Sequence, residues 1–268
     1  VVGIGSGVST SAGYDFYHPS ATFGEAFGSF ERAHGFRTLF DGLYHPSSSN
    51  EEARAFNSAV SAYVARLPLG KVYKELARIL AEKPHVVLTT NVDGQVPRAF
   101  GRDRVWEFQG NLRLVQCSQP CTDNTEDFLS HADELVAATE IVNSVPCIKY
   151  DLLPRCSECH HLMVPWIRDE HFCESKEWKA AHAAYETFLH DHLTEGAEHV
   201  LFLEMGVSSM TPAIIKLPFW SMVESFPRAF YVNVNVGDAS APAQLGSRAL
   251  TITADASGAV SLVSSKLG

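Results

Sequence analysis

Five short apolar, β-branched runs punctuate the chain: Val1 to Ile4, His85 to Thr90, Val200 to Met205, Ala229 to Val234 and Ala249 to Thr253. Runs of this length without polar alternation read as strands covered on both faces, which is the situation of a parallel sheet with helices on either side. The sequence between them supplies such helices. Glu51 to Leu67, Lys71 to Glu82 and Trp178 to Leu193 have helical periodicity, and in the last of these Trp178, Ala181, Tyr185, Phe188 and Leu189 recur on a core-facing stripe. Pro84 and the neighbourhood of Gly196 stop helices ahead of two of the strands. The expected architecture is α/β, a Rossmann-like doubly wound parallel sheet. Its ligand crevice lies beyond the carboxyl ends of the strands, where Gly5 to Ser9, Asn91 to Asp93 and Gly206 to Ser209 all fall.

The 268 residues are enough for one large domain carrying smaller insertions. We expect a nucleotide-binding domain over 1–115 and 174–268, a helical insertion or lid at about 20–60, and a small metal-binding module over 116–173. The segment from Thr22 to Asn50 is rich in Phe and Gly; Phe23, Phe27, Phe30, Phe36 and Phe40 have partly helical spacing that suits core packing, while Gly24, Gly28 and Gly35 would permit a mobile cover. Ser47 to Ser49 reads as a connector. A formal net charge of −10 with no basic stripe argues against nucleic acid and anionic membranes as partners, and no run is long enough to cross a bilayer. The expected location is the cytoplasm, with a mitochondrial one left open.

Cys117 and Cys121 form one close pair and Cys156 and Cys159 a second, a spacing suited to four thiolates around a tetrahedral structural zinc. Disulfides or unrelated thiols are the competing reading. Cys147 and Cys173 are left over as buried thiols, and His160 or His161 could replace a ligand. Four thiolates leave no open coordination position, so such a metal holds the module together and does no chemistry.

The Gly3, Gly5, Gly7 opening lacks the third glycine of the dinucleotide fingerprint and is weak alone; by itself a tight turn after an edge strand is the better account. Its company strengthens it. Gly5-Ser6-Gly7-Val8-Ser9 followed by Gly13-Tyr14-Asp15-Phe16-Tyr17, then Thr89-Thr90-Asn91-Val92-Asp93-Gly94, Gln109-Gly110, Gly206-Val207-Ser208-Ser209-Met210-Thr211-Pro212 and Val232-Asn233-Val234 occur in the order of the motifs of the sirtuins. The chain resembles that family nearly end to end. It departs from it in lacking the Pro and Arg of the Gly-Ile-Pro-Asp-Phe-Arg segment and in placing Gln109 where the family has its catalytic histidine. Those two departures resemble the macrodomain-linked, class M sirtuins of microbes. The resemblance implies NAD as substrate and ADP-ribosyl transfer to a protein acceptor, classically a lipoylated glycine-cleavage H-like carrier, with deacylation weak or absent. Carried over residue by residue, it implies that Gly5, Ser6, Gly7, Ser9, Asp15, Phe16, Asp93, Gly206, Val207, Ser208, Asn233 and Val234 contact the nucleotide and that Asn91 and Gln109 arrange the reacting ribose.

Physical chemistry points the same way. A sirtuin deacylase needs an imidazole with a pKa near the working pH to take a proton from a ribose hydroxyl, and a glutamine amide has none. An amide can still orient hydroxyls through its donor and acceptor atoms. Cleavage of the nicotinamide–ribose bond passes through a cationic centre, for which placement and exclusion of water matter more than a strong base. Blander roles exist: Asn91 or Asp93 as a helix cap, Gln109 as a polar residue at a strand end, Glu204 as a buried structural carboxylate. The expected activity is NAD-dependent protein ADP-ribosylation; the alternatives are a residual deacylase or NAD glycohydrolase, and a silent NAD or ADP-ribose sensor.

Overall fold

A computed structural model describes residues 1–195 and 198–267. In chain order the strands are β1 (Val2–Ile4), β2 (Val87–Thr89), β3 (Val105–Glu107), β4 (Gly110–Cys117), β5 (Glu126–Asp127), β6 (Glu140–Val142), β7 (Val145–Cys147), β8 (Met163–Ile167), β9 (Val200–Met205), β10 (Ala229–Asn235) and β11 (Ala249–Thr253). The α-helices are α1 (Ser6–Ser11), α2 (Ala21–His34), α3 (Leu39–Leu43), α4 (Asn50–Arg66), α5 (Lys71–Leu80), α6 (Gln95–Phe100), α7 (Leu129–Ala137), α8 (Lys176–Leu189), α9 (Lys216–Ser225) and α10 (Ala256–Leu267).

Six strands make one parallel sheet in the order β11-β10-β9-β1-β2-β3. The winding reverses between β1 and β9, and a reversal of this kind opens a crevice at the carboxyl ends of the two strands. Val2, Ile4, Val87, Met205 and Val234 turn one face toward α5, α6 and α10, where Tyr73, Leu76, Val96 and Val260 complete a core. Leu88, Phe202 and Tyr231 pack on the other face against Trp178 and Tyr185 of α8 and Phe219 and Val223 of α9.

Four of the five foreseen strands are covered by helices or by neighbouring strands. The fifth, β11, is the sheet edge, with Leu250 55% exposed, so its apolar run reflects β-propensity more than burial. A sixth strand, β3, was not foreseen, because Val105 and Trp106 are followed at once by the charged Glu107 and make no apolar, β-branched run. The last predicted helix starts two residues earlier, at Lys176, where Ser175 caps it, and passes after Leu189 into a π-helical turn over His190–Glu195. The predicted stop at Gly196 lies outside the described residues.

The helical insertion is α2, α3 and α4, capped by Ser20, Thr38 and Ser49 in turn. Its phenylalanines are core residues: Phe23, Phe27, Phe30 and Phe56 are buried together with Phe128, Leu135, Ile148 and Met163 of the cysteine-bearing segment. The two small units therefore share one apolar interior. Strand β4 links that interior to the main sheet, pairing with β5 and β8, while β6 and β7 form a separate hairpin. Among the described residues no helix is long and apolar enough to cross a membrane.

Candidate functional site

Loops from four parallel strands meet at the reversal point. Gly5 N–H donates to Met205 O and Gly7 N–H to Gly206 O, both at 2.9 Å. A Cβ on Gly5 would lie 2.5 Å from Gly206 O, and one on Gly206, whose φ is +62°, would lie 2.6 Å from Val8 N. The glycines are thus required first by contact of one loop backbone with the other, and two of their N–H groups are already bonded. Val207 follows, buried, its carbonyl accepting from Asn235 Nδ2 at 2.8 Å, and the Ser208 hydroxyl accepts from Met210 N at 3.3 Å.

Beneath this contact lies a buried polar cluster. Asn91 Nδ2 is within donor distance of Gly5 O (3.1 Å), Ser9 Oγ (3.1 Å) and Tyr73 OH (3.3 Å). Ser9 Oγ donates to Asp93 Oδ2 at 2.6 Å and lies 3.0 Å from Tyr73 OH. Asp93 Oδ1 accepts from Gln95 N at 3.0 Å, so Asp93 also tethers the start of α6. Burial raises the Asp93 carboxyl above its usual range, and burial together with the Asp93 charge raises Tyr73 well above that of an ordinary phenol. The carbonyl oxygen Asn91 Oδ1 is buried without a hydrogen-bond partner. A buried acceptor without a protein partner is free to take a donor from water or a ligand.

Gln109 sits in the turn between β3 and β4, and that turn is fastened to the Asn91 loop on both sides by Phe108 N to Thr89 O (3.0 Å) and Leu112 N to Val92 O (2.8 Å). Gly110, at φ +87°, closes the turn where a Cβ would strike Trp166 O at 2.1 Å. Gln109 O accepts from Arg168 N at 3.0 Å, and Arg168 Nε donates to Phe108 O at 2.9 Å. The Arg168 guanidinium lies 4.4 Å and 4.2 Å from the ring centres of Phe108 and Phe172, with Nη2 buried and unbonded. Two residues before Gln109, Glu107 is buried against Asn111 Nδ2 at 2.7 Å, and burial pushes its carboxyl up to about 7.

The remaining predicted positions are distributed around this centre. Asp15 is partly buried, which raises its carboxyl; the N–H groups of Tyr17 and His18 and the His18 ring outweigh that and hold it below the usual range. Phe16 packs on the helical core, and its carbonyl accepts from Phe40 N of α3 at 3.0 Å. Asn233 is fully buried, and its Nδ2 donates to Glu204 Oε1 at 2.6 Å, so its side chain faces a structural cluster, while Val234 contributes to the core beside β9. Glu204 is the buried structural carboxylate: Lys216 Nζ lies 2.7 Å from Oε1, and Tyr231 OH donates to Oε2 at 2.6 Å.

Cys117, Cys121, Cys156 and Cys159 converge with their sulfurs within 4.8 Å of one another; Cys117 and Cys159 approach to 3.4 Å and Cys121 and Cys156 to 3.5 Å. Zn–S bonds of about 2.3 Å place sulfurs about 3.8 Å apart on a tetrahedron, so the set fits zinc. The N–H groups of Cys159 and Glu158 bring the Cys156 thiol down to about 7. All six cysteines are free thiols, which removes the disulfide alternative, and Cys173 is buried while Cys147 is half-buried.

No family model matches the chain. A curated relative from Staphylococcus aureus named protein ADP-ribosyltransferase is 29% identical over 261 residues, 96% of this chain and 80% of its own. A mutant Sir2 homologue in complex with ADP-ribose superposes with a TM-score of 0.63 at 17% identity, covering 100% of this chain and 90% of that one. A Sir2 complex with a p53 peptide and NAD+ gives 0.55 at 19% identity, covering 100% and 92%. The chain has the Sir2 sirtuin fold. Within that sirtuin fold, Ser9, Asn91 and Asp93 are brought into one hydrogen-bonded cluster, and Gln109 is held in the adjoining turn. Tyr73, Glu107 and Arg168 were missed by sequence reasoning. Tyr73 looked like one more apolar position on a helix, and Arg168 is distant in sequence from the turn it braces. Glu107 could have been suspected as a charge inside an apolar run.

Proposed function

We propose that this chain is a sirtuin-family, NAD-dependent protein ADP-ribosyltransferase acting in the cytoplasm. The observation that carries the reading is the buried Ser9–Asn91–Asp93–Tyr73 cluster at the sheet reversal, with an amide, Gln109, in the neighbouring turn. The name of the Staphylococcus relative, a protein ADP-ribosyltransferase, supports the same reaction class. The unpartnered Asn91 Oδ1 fits a ribose hydroxyl or carboxamide donor of NAD. Gly5, Ser6, Gly7, Gly206, Val207 and Ser208 would line the phosphates and riboses, Asp15 and Phe16 the nicotinamide end, and Asn233 and Val234 the adenosine side by their backbone. NAD supplies a glycosidic bond whose electron pair leaves with nicotinamide. The chain's part is to hold the ribose through Asn91 and Gln109, to keep water out with the helical cover, and to admit a protein nucleophile whose proton passes to solvent. No group with an imidazole's pKa stands at position 109, so base-assisted deacylation is not the reaction we assign.

The acceptor we favour is a lipoylated carrier protein, on family resemblance. Intact-mass spectrometry of such a carrier after incubation with NAD and the enzyme should show one added ADP-ribose, absent with Asn91→Ala and with Gln109→Ala. Nicotinamide released without a modified protein would replace this reading with a glycohydrolase. NAD bound with no nicotinamide released would replace it with a sensor.

A further inference from the structure

A second group of metal-type ligands lies in the helical insertion, within a different set of elements from the four cysteines. His34, in the last turn of α2, His45, just after α3, and Glu52, in the first turn of α4, each offer a ligand atom, and these atoms all lie within 4.8 Å of one another. His34 Nε2 is already 3.6 Å from Glu52 Oε1, both side chains being almost fully buried. Zinc bonds of 2.0–2.1 Å to nitrogen and oxygen put ligand atoms about 3.3 Å apart, so a contraction of at most about 1.5 Å would close the set.

The surroundings are arranged for it. The second oxygen of Glu52, Oε2, accepts from Ser48 N at 3.1 Å, which leaves Oε1 turned toward the imidazole. The His34 ring stacks on Phe36 at 5.5 Å with an interplanar angle of 5°, and the His45 ring lies 5.2 Å from Phe36 and 4.8 Å from His34. One aromatic ring thus lies against both imidazoles and restricts their orientation. Glu51 and Glu52 both stand in the first turn of α4. His45 is half-buried, which gives solvent a way in.

We propose that His34, His45 and Glu52 form a second metal site, taking zinc or a similar imidazole-seeking divalent ion with water in the fourth position. Two imidazoles and one carboxylate suit zinc and not the all-oxygen preference of calcium or magnesium. Its position gives it a task. The two histidines bracket α3, whose Phe40 N–H donates to Phe16 O and whose Phe40 ring lies 5.1 Å from Tyr17. A metal here clips the end of α2, the turn after α3 and the start of α4 around the Ser47–Ser49 connector, and so fixes the segment that carries Asp15 and Phe16.

The test needs no nucleotide, so its outcome is independent of the transferase reading. Metal-stripped protein is titrated with Co2+ and followed by visible absorption, and zinc content is measured by elemental analysis after equilibration with Zn2+. Two equivalents are expected. One gives the intense charge-transfer bands of thiolate ligands and belongs to the cysteines; the other gives only weak d–d bands. Glu52→Gln, which keeps an oxygen acceptor for Ser48 N, and His34→Ala should each bind one equivalent with the thiolate bands unchanged. Saturation of the wild type at one equivalent, a second equivalent with thiolate intensity, or a second equivalent that survives in folded Glu52→Gln would each overturn the proposal. Should a variant fail to fold, the wild-type cobalt spectrum decides alone.

Discussion

Replacing Lys216 with Met breaks a buried ion pair at the centre of the second half of the sheet. Glu204 is fully buried on β9, and Lys216, 3% exposed at the start of α9, is the cation that faces it; the next charge near Lys216, Asp238 at 3.9 Å, is also negative. Without Lys216, the Glu204 carboxylate keeps donors from Tyr231 and Asn233 but loses the cation paired with it. Breaking a buried pair in this way costs about 3–5 kcal/mol. An unfolding entropy of about 2.1 cal/mol/K per residue converts each kcal/mol in a chain this long to roughly 2 °C, so Lys216→Met should lower Tm by about 5–9 °C. Burial raises the Glu204 carboxyl, and the Lys216 and Tyr231 hydrogen bonds lower it, so removing the amine raises it further. The variant's deficit should therefore shrink as the pH falls and the carboxyl takes a proton. Glu204→Gln added to Lys216→Met should recover most of the loss, because it removes the stranded charge. Thermal melts followed by circular dichroism at pH 8 and pH 5.5, at one scan rate, measure all of this. A Tm within 2 °C of wild type, or an equal deficit at both pH values, would show that the carboxylate is solvated in some other way.

Three further outcomes are expected. Glu107 has a folded-state carboxyl pushed up to about 7 from 4.5, so the folded state holds a proton that the unfolded state has released; stability falls as pH rises between those values, by at most about 1.4 kcal/mol per unit, and levels off above 7. Glu107→Gln should flatten that part of the Tm–pH curve, and an unchanged slope would assign it to another group. Chelation should weaken the tryptophan near-UV dichroism contributed by Trp166 before the main-sheet helices melt, since β8 pairs with the Cys117 strand; simultaneous loss would mean one cooperative unit. Gln109→His alone should give no efficient turnover on acetyl-lysine peptides, measured by nicotinamide release and peptide mass, and brisk deacetylation would refute the view that more than the base has changed.

The parallel sheet was legible because burial leaves an uninterrupted apolar signature, and all five foreseen strands came within two residues of their bounds. β3 was not: β1 and β2 are as short but sit in longer apolar, β-branched runs, whereas β3 ends on a charge, Glu107. The site was legible where it follows strand ends: Ser9, Asn91 and Asp93 are one hydrogen-bonded group. Partners supplied from far along the chain were not. Arg168 approaches Gln109 through antiparallel pairing of β4 with β8, and Tyr73 reaches Ser9 from a helix whose spacing says only that it faces inward. Asn233 shows the opposite effect, a motif position whose side chain is occupied by a neighbour, Glu204, that no local pattern links to it.

The contact between Gly5, Gly7 and Gly206 also decides which way the crevice can open. With two hydrogen bonds and no Cβ between them, the first and second halves of the sheet are welded at their centre line. Parting those halves would break backbone contacts at the centre of the sheet, whereas α3 rests on the Phe16 segment through the Phe40 N to Phe16 O hydrogen bond and the Tyr17–Phe40 ring pair.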